Sequence, residues 1–471
     1  MITHSHRTGL KTSAIALCIV GAFSAAFLTR PAPKLVKSAE ASSISPALQP
    51  TEVLDAIPIQ SDGSASGKAV AAAMEKARKS PQAPAGWVVL GDTLRQRLRE
   101  SGDQTYYDFA EKAYRQALRL QAANVDAING MAWLTGGRHV FDESMKWANE
   151  ALALSPNSAD AHGIIGDAEL ELGNYDAAYD HYQTMMDLRP DLSSWSRGAY
   201  LLWLTGDKLK GTGLMEKAIR AGAPFAENLA WCRAKLAVML MQDGAFAAAA
   251  QVLAPSLREH SRHPHILLAA ARLATSTRDY DIAAQYYQKL LEAGPNHDAF
   301  VGLGDLHAIQ GERAEAEDDY RKVETLHAAH LATGVHDHMQ MARFLADHDR
   351  NLVEALRLAE QHKLTRNVLE ADTLAWVYYK NGDMLRAAEA IKRALSRNTP
   401  EGEIHYHAGM IAAALGDAAS AREHLRKALA MSPAFNPLQT PVAEQKLASL
   451  SNQTNSSAGL AGSPEVKGAA E

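Results

Sequence analysis

The chain is poor in cysteine and carries no excess of basic residues. Only Cys18 and Cys232 occur among 471 residues, which excludes a disulfide framework or a cysteine zinc site within one chain. The 48 basic and 54 acidic residues give a formal net charge of -6. Nucleic-acid binding normally requires a basic excess, so we expect no nucleic-acid partner.

Catalytic signatures are missing as well. The sequence contains no H-E-x-x-H, no G-x-S-x-G and no complete phosphate-binding loop. Its acidic residues are spread over solvated faces, so no pair stands out as an acid and a base. We therefore expect no enzyme activity and no cofactor. The proportions of hydrophobic residues (47%) and charged residues (22%) are nevertheless those of a folded protein.

One long apolar run is present, near the N-terminus. Basic residues precede an apolar stretch from about Ser13 to Leu28, which predicts a signal peptide or membrane anchor at residues 1–30. Its length lies between those of a signal segment and a spanning helix, so cleavage after Ala26 and retention both stay open. Either outcome predicts an extracytoplasmic protein of the periplasm or cell envelope, unless basic residues after the run reverse the orientation. An uncleaved segment would also contact the membrane.

The flanks of the chain differ in composition from its middle. Residues 31–83 are rich in Pro, Ser, Ala and Gly, which predicts a flexible linker with one short helix at Lys68 to Lys79. Residues 436–450 are expected to cap the preceding body. Residues 451–471 are rich in Ser, Gly and Ala, and we expect them to be disordered.

Residues 84–435 consist of helix-length apolar segments separated by Gly, Asn, Asp or Pro, without the alternation of a strand. This pattern predicts an all-α body. One stretch, His405 to Pro433, recurs at a spacing of about 34 residues. Its clearest copy has matching positions at Gly166, Gly173, Asn174, Tyr175, Ala178, Tyr182 and Pro190.

This repeat resembles the tetratricopeptide repeat (TPR) family, whose unit of about 34 residues carries W-x2-L-G-x2-Y and then alanine, aromatic and proline positions. The resemblance implies an α-solenoid of about ten stacked helix-turn-helix units over residues 84–435, forming a right-handed superhelix. Each unit has a helix A and a helix B. Small residues such as Gly166 and Ala421 are expected where the two helices cross, and Gly173 is expected to adopt positive φ at the turn between them.

The resemblance also implies a concave groove, lined by A helices, that holds a peptide or helix of a partner protein. The expected function is a non-catalytic interaction scaffold or assembly factor of the cell envelope. The residues expected to face the groove are Trp133, Asp167, Tyr200, Trp203, Asp305, Phe344, Trp376, Tyr379 and Tyr406. This aromatic and acidic set suits an apolar or basic peptide. The alternative is that several of these rings fill gaps between adjacent A helices.

Histidine is abundant, with 19 residues, and four lie close together at His327, His330, His336 and His338. His327 and His330 share a helix face, and a turn after them could bring another histidine within ligand distance of Zn, Ni or Cu. A metal-handling protein that uses this stretch is therefore the alternative function. The other interpretation is solvated histidines at a repeat boundary. A third possibility is a cytoplasm-facing adaptor held by the N-terminal anchor.

Overall fold

The computed structural model describes residues 50–57, 63–222, 226–259, 261–332 and 334–460. Every regular element in these ranges is helical, so the all-α prediction is confirmed for this part of the chain. The helices are α1 (Pro50–Asp55), α2 (Ala65–Lys79), α3 (Pro84–Ser101), α4 (Tyr106–Leu120), α5 (Val125–Gly137), α6 (Phe141–Leu154), α7 (Ala159–Glu171), α8 (Tyr175–Leu188), α9 (Leu192–Leu204), α10 (Lys208–Ala221), α11 (Ala226–Met241), α12 (Phe246–Glu259), α13 (Pro264–Ser276), α14 (Tyr280–Leu291), α15 (His297–Gln310), α16 (Arg313–Ala332), α17 (His338–Asp347), α18 (Leu352–Ala359), α19 (Val368–Lys380), α20 (Met384–Ala394), α21 (Gly402–Ala414), α22 (Ala418–Met431) and α23 (Gln439–Leu460), with short 3-10 turns at Glu360–His362 and Leu395–Arg397.

Helices α3 to α22 form ten hairpins, which we number repeats 1 to 10, and this agrees with the ten or so units predicted. The turn between helix A and helix B is built as expected. Gly382 and Gly416 end helix A with φ of 81° and 83°. The aspartate that follows caps helix B, since the Asp383 carboxylate accepts a hydrogen bond from the backbone N–H of Arg386 at 3.0 Å.

A glycine on helix A lets a tyrosine of helix B lie directly against the backbone. In repeat 3, a Cβ atom added to Gly166 would lie 2.6 Å from Cδ1 of Tyr182, so a larger residue would force the helices apart. The Tyr182 hydroxyl donates to Asp167 at 2.8 Å. The same arrangement recurs in repeats 1 and 7, with Gly91, Asp92 and Tyr114, and with Gly304, Asp305 and Tyr320. The predicted small-residue crossing is thus confirmed at these positions.

The solenoid returns to contact itself after six repeats. The A-to-B turns of repeats 3, 4 and 5 touch the loops that precede α19, α21 and α23. Thr399 Oγ1 donates to the carbonyl oxygen of Leu204 at 2.7 Å, and Ser432 Oγ donates to that of Met241 at 3.2 Å. We call this line of contacts the seam. Because the two turns of the coil touch, their A helices face a common interior, which we call the bore.

Both ends of the described chain contain more helix than the composition predicts. Helix α2 buries Val70, Ala73, Met74 and Ala77, whose helical spacing gives it an apolar face for packing on α3. The expected linker therefore contributes to the core. At the other end, α23 continues to Leu460, through the first part of the segment predicted to be disordered.

The predicted signal or anchor at residues 1–30 lies outside the described residues, as do residues 461–471. None of the helices in the described ranges combines the length and the apolar character that crossing a bilayer requires.

Candidate functional site

Three of the nine predicted groove residues line one cavity of the bore. Trp133, Asp167 and Tyr200 border a space of about 380 Å³, which lies within the range of about 300 to 1,000 Å³ typical of ligand sites. Helices α3, α5, α7, α9 and α11 all contribute to its lining, so five successive A helices build it. Because Trp231 also lines it, we call it the aromatic cavity.

An ammonium group lies over two rings of the aromatic cavity. Lys235 Nζ is 4.5 Å from the ring centroid of Tyr200 and 5.8 Å from that of Trp231. Such cation–π contacts hold the ammonium against the cavity wall. Burial lowers the pKa of Lys235, and the nearby guanidinium of Arg272 lowers it further. Within the described ranges the ammonium forms no ion pair.

The other cations of the aromatic cavity are paired with acids. Arg197 donates from Nε and Nη2 to the two carboxylate oxygens of Asp167, at 2.8 and 2.9 Å. Arg99 Nε lies 3.3 Å from the carboxylate of Glu227. Asp167 also accepts the Tyr182 hydroxyl, so its role is to position neighbouring side chains. The guanidinium groups of Arg197 and Arg99 are therefore already neutralised by carboxylates of the cavity wall.

Glu171 is the acid of this cavity that remains exposed to the interior. Removal of the carboxylate from bulk water raises the pKa of Glu171 to about 7. The carboxylate of Glu370 across the seam raises this pKa further, whereas the ammonium of Lys235 lowers it. The carboxylate forms no ion pair with any described residue. Glu171 and Lys235 are thus two unpaired charges of opposite sign that face one cavity.

A second cavity, of about 390 Å³, is lined by residues of α13, α15, α17 and α19 and by the start of α21. We call it the acidic cavity. Arg343 donates to three carboxylates there, to Asp347 and Asp372 at 2.8 Å each and to Glu403 at 2.9 Å. A third space of about 340 Å³ adjoins it and shares the side chain of Glu401. The bore therefore joins aromatic and acidic surfaces.

The expectation of an open groove is corrected for most of the remaining predicted residues. Trp203, Phe344, Trp376 and Tyr406 are only 2% to 3% exposed, and Asp305 is 9% exposed. The buried set fills gaps between packed helices, which was the alternative interpretation. Phe344 and Asp305 still border the acidic cavity and the third space, respectively.

Two of the buried rings, Trp376 and Tyr406, belong to a cluster of aromatic side chains in the last two repeats. Trp376 lies between Tyr379, at a centroid distance of 4.8 Å, and His407, at 4.2 Å. Tyr406 packs against Trp376 and Phe435, with centroids 5.5 Å apart in each case. Tyr379 is half-buried at the edge of this cluster. These rings stabilise the contact between α19 and α21.

The histidine-rich stretch joins α16 to α17 through an aspartate. Nδ1 of His327 lies 2.6 Å from one carboxylate oxygen of Asp337, and Nδ1 of His330 lies 2.8 Å from the other. Among the residues that the structure describes, no three His, Cys, Asp or Glu side chains are arranged to hold a metal ion. The contacts with Asp337 give this stretch a structural role at the repeat boundary.

Sequence reasoning missed Trp231, Lys235 and Glu401. The first two had a usable signal, because Lys235 lies about one repeat length after Tyr200 and Trp231 lies one helical turn earlier on α11. Glu401 had none. It enters the bore because the coil brings the start of α21 opposite α13 and α15.

Ten stacked helix hairpins with cavities on their inner side define an all-α solenoid. The tetratricopeptide repeat model matches residues 141–193, 268–329 and 373–434. The predicted tetratricopeptide repeats are therefore confirmed over these three regions. Proteins of this family are generally non-catalytic scaffolds, and the repeats support a role in protein interaction. A search of curated proteins finds no significant match.

Solved structures of similar fold include pilF of Pseudomonas aeruginosa, with 19% identity and a TM-score of 0.36 over 44% of this chain and 92% of that chain. A thermophilic TPR protein of Thermus thermophilus has 15% identity and a TM-score of 0.34 over 44% and 100%. The Naa15/Naa10 structure bound to HypK-THB has 18% identity and a TM-score of 0.26 over 81% and 63%.

Proposed function

We propose that the protein is a non-catalytic scaffold or assembly factor that binds a peptide or helix of a partner protein in its bore. The observation that carries this proposal is the aromatic cavity, where Trp133, Tyr200 and Trp231 from three A helices face one space. Aromatic side chains on a rigid helical scaffold provide large contact area with little loss of conformational entropy on binding. A cavity of about 380 Å³ suits a few side chains of a partner.

Affinity capture with the full chain tests this function. The wild type is compared with a Trp133→Ala plus Trp231→Ala double variant, and captured proteins are identified by mass spectrometry and then titrated individually. Removal of an aromatic anchor at an interface centre costs about 2 kcal/mol or more, so we expect the double variant to lose affinity by at least about 30-fold.

The matched control is Tyr179→Ala, which removes a ring that is 49% exposed on the outer helix α8. This variant should bind as the wild type does. Equal binding by the wild type and the double variant would remove the aromatic cavity from the function.

We further propose that the scaffold works in the cell envelope. The support is the apolar stretch from Ser13 to Leu28 and the basic residues before it. A phosphatase reporter fused after residue 471, together with protease accessibility in intact cells, tests this location. Activity of the reporter and cleavage outside the cytoplasm are expected, whereas full protection would favour a cytoplasm-facing adaptor.

A further inference from the structure

We propose that the acidic cavity binds a basic side chain, lysine or arginine, of the peptide that enters the bore, with Glu401 as its counter-ion. This inference rests on the proposed function and names the chemistry of the partner. It depends on the charges that line the cavity, on which of them are already paired, and on where Glu401 lies.

The lining of the acidic cavity carries a large excess of negative charge. Six carboxylates face it and only two guanidinium groups. The carboxylates belong to Asp298, Asp347, Glu370, Asp372, Glu401 and Glu403, and the guanidinium groups to Arg272 and Arg343. A confined space with this balance attracts cations, because low-dielectric walls concentrate the field inside it.

Most of these carboxylates already have partners. Arg343 holds Asp347, Asp372 and Glu403. Arg272 Nη2 lies 3.4 Å from Asp298.

Glu370 is also occupied, because it accepts the Thr365 hydroxyl at 2.6 Å and lies 3.2 Å from Nδ1 of His362. The Glu401 carboxylate, by contrast, forms no hydrogen bond or ion pair with a described residue. It is therefore the acid of this lining that is left for a ligand.

The backbone holds Glu401 in place inside the bore. Glu401 is the residue before α21, and its N–H donates to the carbonyl oxygen of Thr399, whose side chain donates across the seam to Leu204. The side chain borders both the acidic cavity and the adjoining third space.

Helix α11 lines the aromatic cavity through Trp231 and Lys235 and the third space through Val238 and Met241. One extended peptide that follows α11 can therefore reach both the aromatic cavity and Glu401.

The local charges make a bound cation favourable and give it a pH signature. Burial raises the pKa of Glu401 to about 7, and the carboxylates of Glu403 and Asp372 add to this rise. The opposing cations are Arg343 and Lys235, which lower it. A bound lysine or arginine favours the ionised carboxylate, so a basic peptide should bind more tightly above pH 7 and release protons when it binds below pH 7.

Other charged groups border the same spaces, and most of them are paired with each other. Arg272 and Asp298 face the cavity from α13 and α15 and are paired with each other. His297 lies 3.5 Å from Asp298, and His348 lies 2.8 Å from Asp305.

Burial opposes the charged form of His348, but its hydrogen bond to Asp305 raises its pKa, and Glu171 of the aromatic cavity has a pKa of about 7. Both groups therefore also change charge between pH 6 and 8, and the contribution of Glu401 is the part of the pH response that Glu401→Gln removes.

Peptide selection on the full-length protein tests the inference. A displayed library of random dodecapeptides is selected for binding at pH 8, and the bound peptides are sequenced. The peptide that binds most tightly is then synthesised in two forms, one with its basic residue and one with norleucine at that position. We expect lysine or arginine to be enriched beside aromatic or aliphatic residues. The norleucine peptide should bind the wild type about tenfold or more weakly, because it lacks a charge-assisted hydrogen bond.

A double-mutant cycle then locates the counter-ion. Glu401→Gln should weaken the basic peptide to the same extent, and the norleucine exchange should have little further effect on that variant. Glu389→Gln removes an equal charge from a side chain that is 77% exposed on α20, and it should bind as the wild type does. The wild type should lose several-fold affinity for the basic peptide from pH 8 to pH 6, and Glu401→Gln should lose most of this pH dependence.

The outcomes separate this inference from the proposed function. Selected peptides that lack basic residues yet depend on Trp133 and Trp231 would overturn the inference and leave the scaffold function standing. A norleucine exchange that weakens binding equally in wild type and Glu401→Gln would also overturn it. Failure to select any peptide would refute both. Because the norleucine arm changes only the peptide, its result is independent of how well the variant folds.

Discussion

Gly173 and Gly311 occupy the same place in repeats 3 and 7 and differ in what lies beside them. Both end helix A with positive φ, 76° and 83°. A Cβ atom added to Gly311 would meet no described atom within 4 Å, whereas one added to Gly173 would lie 2.5 Å from the carbonyl oxygen of Arg366. Alanine at either position therefore carries the same backbone cost, about 1 to 2 kcal/mol. The difference in unfolding free energy between the two variants therefore measures how much the seam contact contributes to stability.

The excess cost at Gly173 follows from what the new methyl group would displace. It meets backbone atoms, which cannot move aside by a rotamer change, so the loop before α19 has to shift. Overpacking of this kind costs about 1 to 3 kcal/mol. The shift also threatens two hydrogen bonds across the seam, from Asn367 Nδ2 to the Glu171 carbonyl at 3.0 Å and from the Val368 N–H to the Tyr175 hydroxyl at 2.8 Å. We expect Gly173→Ala to destabilise the protein by about 2 kcal/mol more than Gly311→Ala.

Urea unfolding followed by tryptophan fluorescence measures this difference, and small-angle X-ray scattering shows whether the coil loosens. Gly173→Ala should lower the unfolding midpoint and increase the radius of gyration under native conditions. Gly311→Ala should lower the midpoint slightly and leave the radius unchanged. Equal effects of the two variants on both quantities would refute the contact between the turns of the coil.

Three further variants test the packing and the charges of the bore. Glu401→Gln should stabilise the protein at pH 8 by up to about 3 kcal/mol and leave its stability unchanged near pH 4. The reason is that a carboxyl group with a raised pKa in the folded state contributes stability that is lost as pH rises from 4.5 to about 7. Thermal unfolding that shows no gain in stability at pH 8 would contradict this. Tyr182→Phe should cost about 1.5 kcal/mol through loss of the hydrogen bond to Asp167, whereas a neutral result in urea unfolding would mean that water replaces the hydroxyl. Ala421→Leu should cost about 1 to 3 kcal/mol by overpacking a fully buried crossing, and an unchanged unfolding midpoint would argue against close approach there.

The features that repeat along the chain could be predicted from the sequence because each is decided within one hairpin. A glycine such as Gly166 faces a tyrosine from the same repeat, and Gly382 ends its own helix A. Both depend on contacts between residues close in sequence, so the repeat pattern contains them. The same holds for the all-α architecture.

Exposure in the groove depends on how tightly successive repeats pack, and one repeat cannot reveal this. Trp133 and Trp376 lie at comparable positions on A helices, yet Trp133 borders a cavity while Trp376 is 2% exposed in a stack with His407. The difference arises from neighbours in adjacent repeats and from the residues that follow them. The repeat pattern therefore predicts which residues of each A helix face inward. It does not predict which of those residues line a cavity and which are buried between helices.

Closure of the coil links partner binding to the seam. A peptide that contacts Trp231 on α11 and Glu401 before α21 touches residues from both turns of the coil. Such a ligand binds the closed arrangement more tightly than one in which the turns have separated, so it must stabilise the seam by the same free energy. Gly173→Ala should consequently weaken a peptide that reaches both cavities and leave a shorter peptide, confined to the aromatic cavity, nearly unaffected. Titration of both peptides against this variant and against Gly311→Ala measures the coupling, and equal loss for the two peptides would show that the seam and the bore act independently.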